Sequence, residues 1–231
     1  MQIEGLQKLT LLDFPGNVAC TVFTPGCNFR CPFCQNASLV IDAPVKGSVD
    51  VEEFFSFLSK RKGILDGVAI TGGEPLLQQD IDSFIQRVRD MGFKVKLDTN
   101  GSFPDILEQL VTRKLVDYVA VDIKNRPEKY ALTAGCSEKM LERVQRTVSF
   151  LLQGNVDYEF RTTVVSQFHE RDDFVAIGEW ISGAKRYFLQ KFEDSGEIIE
   201  SGLSAVSKDE MESFAEAVKP YVNEVSLRGV Y

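Results

Sequence analysis

With 231 residues, 44% of them hydrophobic, the chain has enough material for one domain with a full core, and no second domain is expected. Twenty-six basic against 34 acidic side chains leave a formal charge of −8, which argues against an extended basic surface for nucleic acid or anionic lipid. No run reaches the ~18 consecutive apolar residues of a membrane span, and Met1 to Lys8 lacks the layout of a signal peptide, so a cytoplasmic location is expected.

Strand-length apolar runs alternate with stretches of helical period. The first strand is predicted over 18–24 (VACTVFT), and a helix follows Asp50, which with Glu53 reads as a capping box ahead of Val51, Phe54, Phe55 and Leu58. A strand over 67–71 (GVAIT) leads to a helix after Asp80 that carries Ile81, Phe84, Ile85 and Val88 and stops at Gly92. Next come a strand over 93–98 (FKVKLD) and a helix opened by Ser102 and Pro104, with Ile106, Leu107, Leu110 and Val111 on its stripe. The strand over 117–123 (DYVAVDI) precedes a helix bearing Leu141, Val144, Val148 and Leu151, which ends before Gly154. A strand over 158–165 (YEFRTTVV) is followed by the core stripe Phe174, Ile177, Trp180 and Ile181, then by a strand over 186–190 (RYFLQ). The last helix starts at Ser207 with Glu210 three on, buries Met211, Phe214 and Val218, and ends at Pro220. This alternation predicts an α/β fold with a parallel sheet, closed partly into a barrel or opened into a doubly wound sheet. Either way, ligands belong at the C-terminal ends of the strands.

The chemically unusual residues fall there. After the first strand stand Cys27, Cys31 and Cys34, three of five cysteines, an odd total that cannot pair completely. Three thiolates on one tight loop leave a coordination position open. Tetrahedral zinc needs a fourth ligand, and the only histidine, His169, is far along the chain. A cluster of four irons held by three cysteines leaves one iron free for a substrate or cofactor, and it is the preferred reading over structural zinc or incidental thiols. Gly72-Gly73-Glu74-Pro75 follows the second strand and Asp98-Thr99-Asn100-Gly101 the third. Asp122 and Lys124 share one face at the fourth strand's end, with Val119, Val121 and Ile123 opposite. Arg161 and Thr163 share a face of the fifth, and the sixth ends at Gln190.

Plainer readings stand beside these. GGEP can be a strand-to-helix turn, Asp98 an Asx turn, Asp122 with Lys124 a buried ion pair, and Arg161 its neutralising partner. Cys20 and Cys136 read as small buried hydrophobes. His169 opens the charged stretch HERDD and is expected to be solvated or to neighbour a helix cap, and Lys60-Arg61-Lys62 to be a solvated helix end.

The C-x3-C-x2-C loop with Phe33 before its last cysteine, followed further on by GGEP, resembles the radical S-adenosylmethionine (SAM) superfamily from Asp13 to about Gln190. The resemblance implies an α/β partial (β/α)6 TIM-like barrel and a single domain over 1–231, with its cluster loop at 25–36 and GGEP at 72–75. It implies a [4Fe–4S] cluster on Cys27, Cys31 and Cys34 whose fourth iron is chelated by SAM, cleaved reductively to methionine and a 5′-deoxyadenosyl radical. By the same resemblance, Gly72, Gly73 and Glu74 hold the methionyl amine, Lys124 the carboxylate and Asp122 the ribose or ammonium. Asn36, Asp98 and Thr163 match further cofactor-contact positions. No catalytic side chain is implied beyond cluster and SAM.

No cysteine follows Cys136, so only one cluster is expected, and the short span from Cys34 to Gly72 leaves no room for a ferredoxin-like insertion. The segments Asp13-Phe14-Pro15-Gly16, CQN, LDTNG, DIK and RTTVV resemble anaerobic ribonucleoside-triphosphate reductase activating proteins and pyruvate formate-lyase activating enzymes. That likeness implies an air-sensitive oxidoreductase that abstracts a glycine Cα hydrogen from a glycyl radical enzyme, with flavodoxin or ferredoxin as low-potential donor. The activase pattern places Gly where Phe14 stands and Arg where Val18 stands, and a late histidine is replaced near Gln190. Two rivals are a radical SAM enzyme acting on a small molecule or peptide, and a zinc-stabilised domain without catalysis.

Overall fold

All six strands expected from the sequence form within one residue of their predicted ends in a computed structural model, which describes residues 1–41, 49–194 and 196–230. The fold is α/β with a parallel-dominated sheet, and the chain divides into two compact units.

The first unit comprises Met1–Asn28, Ser38–Thr99 and Asp105–Val119. Strand β1 (Gly5–Thr10) pairs antiparallel with β2 (Ala19–Thr24), which runs parallel to β3 (Gly67–Gly72), itself parallel to β4 (Lys94–Thr99). Between them lie α1 (Ala37–Val40), α2 (Val51–Ser59), a 3-10 turn (Pro75–Leu77), α3 (Ile81–Asp90) and α4 (Pro104–Thr112). Burial along most of β2 and β3 explains why their sequences read as near-continuous apolar runs. Phe54 and Phe55 of α2 pack with Phe84 of α3 at ring separations of 5.2–5.3 Å. Each ring buried this way contributes about 1.5–3 kcal/mol. Asp50 caps α2 by accepting from Glu52 and Glu53 N–H, so the expected box is one-sided, and Asp80 makes no side-chain cap bond at α3.

Strand β5 (Tyr118–Asp122) begins in the first unit and ends in the second, which comprises Phe29–Ala37, Asn100–Pro104 and Ala120–Tyr231. The second unit holds α5 (Pro127–Ala134), α6 (Glu138–Leu152), β6 (Asp157–Val164), α7 (Arg171–Trp180), β7 (Tyr187–Lys191), α8 (Lys208–Val218) and β8 (Val225–Arg228). Strands β6, β7 and β8 are parallel neighbours, and strand order follows the chain from β1 to β8. Ser207 and Glu210 form the predicted box on α8, and Phe214 of that helix stacks on Phe174 of α7 at 4.8 Å.

The short α1 and the 3-10 turn have no counterpart in the sequence reading, nor do three larger elements. β1 is mostly exposed and β8 is four half-buried residues, so neither shows a clean apolar alternation. Helix α5 was signalled only by Pro127 in its first turn and by Gly135, which closes it in the left-handed conformation. Among the described residues no helix is long and apolar enough to cross a membrane.

Candidate functional site

In the first unit, the register Thr24↔Gly72 sets the end of β2 opposite the end of β3. Gly73 N–H donates to the Thr24 carbonyl at 2.9 Å and Glu74 N–H to the Gly26 carbonyl at 2.7 Å, immediately before Cys27. A Cβ on Gly72 would stand 2.3 Å from Thr24 N, and one on Gly73 2.0 Å from Gly26 O. The backbone these glycines admit is therefore the root of the cysteine loop. Gly72 also sits at φ +120°, where other residues are strained.

Glu74 is fully buried, and its Oε1 accepts from Leu76 N–H at 3.0 Å and from the Thr99 hydroxyl at 2.8 Å. It thus ties the GGEP turn to the end of β4, through a Thr99 that sequence reasoning had not singled out. Half-buried Asp98 is ion-paired with Lys96, two residues back on the same strand face. Lys96 is only 2% exposed and was also missed; a lysine in a β-alternation signals burial only when its partner is known.

The cysteine segment passes from the first unit to the second between Asn28 and Phe29, so Cys27 lies in one and Cys31 and Cys34 in the other. Within the second unit, Cys34 N–H donates to the Cys31 carbonyl at 3.0 Å, closing a turn. The buried Cys31 places its thiol 3.5 Å from the Ala134 carbonyl, which also accepts Arg30 N–H at 3.1 Å. The end of α5 thus supports the segment, and a Cβ on Gly135 would meet Arg30 O at 2.2 Å. Phe33, buried between the two cysteines, packs its ring 5.7 Å from that of Phe168 and 6.5 Å from that of His169. Half-buried Asn36 follows, and the neighbouring Gln35 amide donates to the Glu193 carbonyl at 2.8 Å.

Asp122 stands between two cations in the same unit, accepting from Lys124 Nζ at 3.1 Å and from Arg161 Nε. Burial alone would push its carboxyl up, but Arg161 and Lys124 hold it well below the usual carboxylate range. Burial likewise works to lower Lys124, yet Asp122, Cys31 and Cys34 outweigh it and the ammonium titrates above the ordinary lysine value. Lys124 is therefore electrostatically coupled to both cysteines. Val121 and Ile123 are fully buried while Asp122 and Lys124 are half-buried, as the alternation predicts. Half-buried Thr163 on β6 is the register partner of Gln190 on β7. Cys20 is buried, its thiol pushed up to about 12, and burial also raises the half-buried Cys136.

Of the two expectations for His169, the helix-cap neighbour holds, since Glu170 caps α7, and the solvated residue is corrected. His169 is 5% exposed, with Nε2 at 2.9 Å from the Lys124 carbonyl and Nδ1 at 3.1 Å from Val165 N. The charged neighbours in HERDD point the sequence toward solvent, but the ring itself turns inward against Phe33 and Phe174.

None of Cys27, Cys31 and Cys34 is in a disulfide, so their donor chemistry suits a cluster with three cysteine ligands, and Cys31 and Cys34 help to raise the Lys124 ammonium. Among the described residues no three His, Cys, Asp or Glu side chains converge on one point for a single ion. A cluster asks for something else, one thiolate on each of three irons.

A model of the Radical SAM superfamily matches residues 21–180. The chain is 31% identical over 234 residues to "Putative glycyl-radical enzyme activating enzyme MJ1227" of Methanocaldococcus jannaschii, covering 99% of this chain and 96% of that one. It is 26% identical to the pyruvate formate-lyase-activating enzyme of Staphylococcus aureus (strain USA300), over 83% of this chain and 78% of that one. The 7-carboxy-7-deazaguanine synthase of Methanopyrus kandleri is 32% identical over 130 residues, 48% of this chain and 51% of that one. Among solved structures, Streptococcus suis SuiB bound to S-adenosylmethionine aligns with a TM-score of 0.69 at 14% identity, covering 90% of this chain and 52% of that one, a likeness of fold.

Proposed function

Because this chain belongs to the radical SAM superfamily, whose members work with a [4Fe–4S] cluster and S-adenosylmethionine, we propose that it activates a glycyl radical enzyme. The observation that carries this reading is end-to-end likeness to a relative named for that activity, in place of a match confined to the cysteine loop. When bound, the reduced cluster and SAM would supply a 5′-deoxyadenosyl radical for hydrogen abstraction from a glycine Cα, with methionine and 5′-deoxyadenosine as the products beside the glycyl radical.

The protein's share of the work is to bind, orient and exclude water. In this reading, which treats residues 1–231 as one catalytic domain, Cys27, Cys31 and Cys34 hold the cluster. Lys124, whose ammonium is held up by Asp122, Cys31 and Cys34, offers that charge to the SAM carboxylate. Asp122, kept ionised by Arg161 and Lys124, is an acceptor for the SAM ammonium or ribose. Glu74 fixes the Gly72-Gly73 turn, while Asn36, Asp98 and Thr163 complete the cofactor contacts. The partner assigned is an anaerobic ribonucleotide reductase type of glycyl radical enzyme, the electron donor a flavodoxin or ferredoxin, and the setting anaerobic and cytoplasmic.

The test is to mix the anaerobically reduced protein and SAM with glycyl radical enzymes from the same organism and record electron paramagnetic resonance. A glycyl doublet with one of them is expected. SAM cleavage with no doublet from any would sink the activase reading and favour the second one, action on a small molecule, which the likeness to 7-carboxy-7-deazaguanine synthase supports.

A further inference from the structure

We propose that His169 is a positioning residue that fixes the direction of Lys124 and braces the segment between Cys31 and Cys34. The proposal rests on the reading of Lys124 as a cofactor contact.

Strand β5 ends at Asp122, so Lys124 lies beyond the regular ladder. Up to Ile123 the backbone is held from β6: Ile123 N–H donates to the Arg161 carbonyl at 2.8 Å, and the Thr162 hydroxyl donates to the Ile123 carbonyl at 2.6 Å. The next carbonyl, that of Lys124, is met by His169 Nε2 at 2.9 Å. With Nε2–H donating to the Lys124 carbonyl and Nδ1 accepting Val165 N–H, both ring nitrogens are matched, which assigns the Nε2–H tautomer. Nδ1 then accepts Val165 N–H at 3.1 Å, with the Val165 carbonyl 3.2 Å away. An imidazolium would set an Nδ1 proton against that N–H, and burial further disfavours the charged ring. The side chain is thus a neutral two-ended strut between the ends of β5 and β6.

The same ring touches the cysteine segment. Phe33 meets it edge-on at 6.5 Å, and Phe174 closes the far side at 5.7 Å. Lys124, coupled by charge to Cys31 and Cys34, is thereby referenced to them by packing as well. Displacing the strut frees the Lys124 backbone without removing any thiol.

Three substitutions separate the two ends of the strut. His169→Gln extends an amide to the Nε2 position and can still donate to Lys124. His169→Asn places an oxygen near Nδ1, keeps the Val165 bond and does not reach Lys124. His169→Phe retains the ring and neither bond. In the cofactor-free chain, amide hydrogen exchange over residues 123–126 is expected to quicken about tenfold in the Phe and Asn variants and to stay near wild type in Gln, the loss of one buried hydrogen bond. After anaerobic reconstitution all three are expected to hold wild-type iron, while SAM binds about tenfold more weakly to the Phe and Asn variants than to Gln. Unchanged exchange and SAM affinity in the Phe variant, or a Gln variant as impaired as Phe, overturns the proposal. If wild-type protein takes up no iron or SAM, the proposed function falls, and the exchange rates still decide the role of His169.

Discussion

Replacing Gly73 by alanine drives a methyl group into the root of the cysteine loop. The new carbon would lie 2.0 Å from Gly26 O and 2.7 Å from Gly26 C, and relief means moving out to the 3.4 Å of ordinary contact. Both obstacles are backbone, so no side chain can swing aside. The Gly73 N–H bond to Thr24 (2.9 Å) and the Glu74 N–H bond to Gly26 (2.7 Å) must lengthen as the strand ends part. Overpacking costs ~1–3 kcal/mol and each weakened buried bond about 1 kcal/mol more. A loss of about 3 kcal/mol is expected, roughly 6–12 °C in melting temperature for a chain of this size. Gly73 is not at positive φ, unlike Gly72, so its variant reports sterics alone. Circular dichroism melts of cofactor-free protein measure the first effect, and iron content after anaerobic reconstitution measures the second. Iron should fall because Cys27 follows Gly26 directly. A loss under about 1 kcal/mol together with full iron would refute the claim that these glycines serve the loop.

Glu74→Ala strands Leu76 N–H and the Thr99 hydroxyl in a buried place and is expected to cost ~2–4 kcal/mol, whereas Glu74→Gln keeps an accepting oxygen and should cost far less; urea unfolding compares them. Asp122, whose folded pKa lies below its ordinary 3.8, contributes stability that is full above that value and lost as pH falls through the lower one. Asp122→Asn should therefore destabilise at neutral pH and flatten the acid limb of the unfolding curve, while SAM binding weakens and iron is retained. Cys31→Ala is expected to abolish iron uptake and Cys136→Ala to leave it intact, checked by iron analysis. Cys20, buried with its thiol pushed up to about 12, should resist alkylation in folded protein at pH 8 and react on unfolding.

Side-chain periodicity made the six central strands and five of the helices legible, because each buries one face or stripe in a regular rhythm. It could not show β1 and β8, which bury too little to carry a rhythm, nor α5, whose signals were its two ends. The same limit applies within the site. Residue types named Cys27, Gly72, Glu74, Asp98 and Asp122, but contacts between distant backbones have no signature in the side chains that make them. Hence the approach of Gly73 to Gly26 left no mark in the sequence, Thr99 and Lys96 went unnoticed, and His169 was judged by the charges beside it.

The surroundings of Asp122 also bear on the plainer reading of Asp122 and Lys124 as a structural ion pair. Such a pair balances one buried charge with one other. Here a single carboxylate is flanked by two cations, Lys124 and Arg161. The Lys124 ammonium is held up by Cys31 and Cys34 as well as by Asp122, so its charge refers to the cysteine segment and not to its carboxylate alone. A two-residue pair accounts for neither Arg161 nor that coupling, and Arg161, the residue whose part the sequence left open, is the third member of the group.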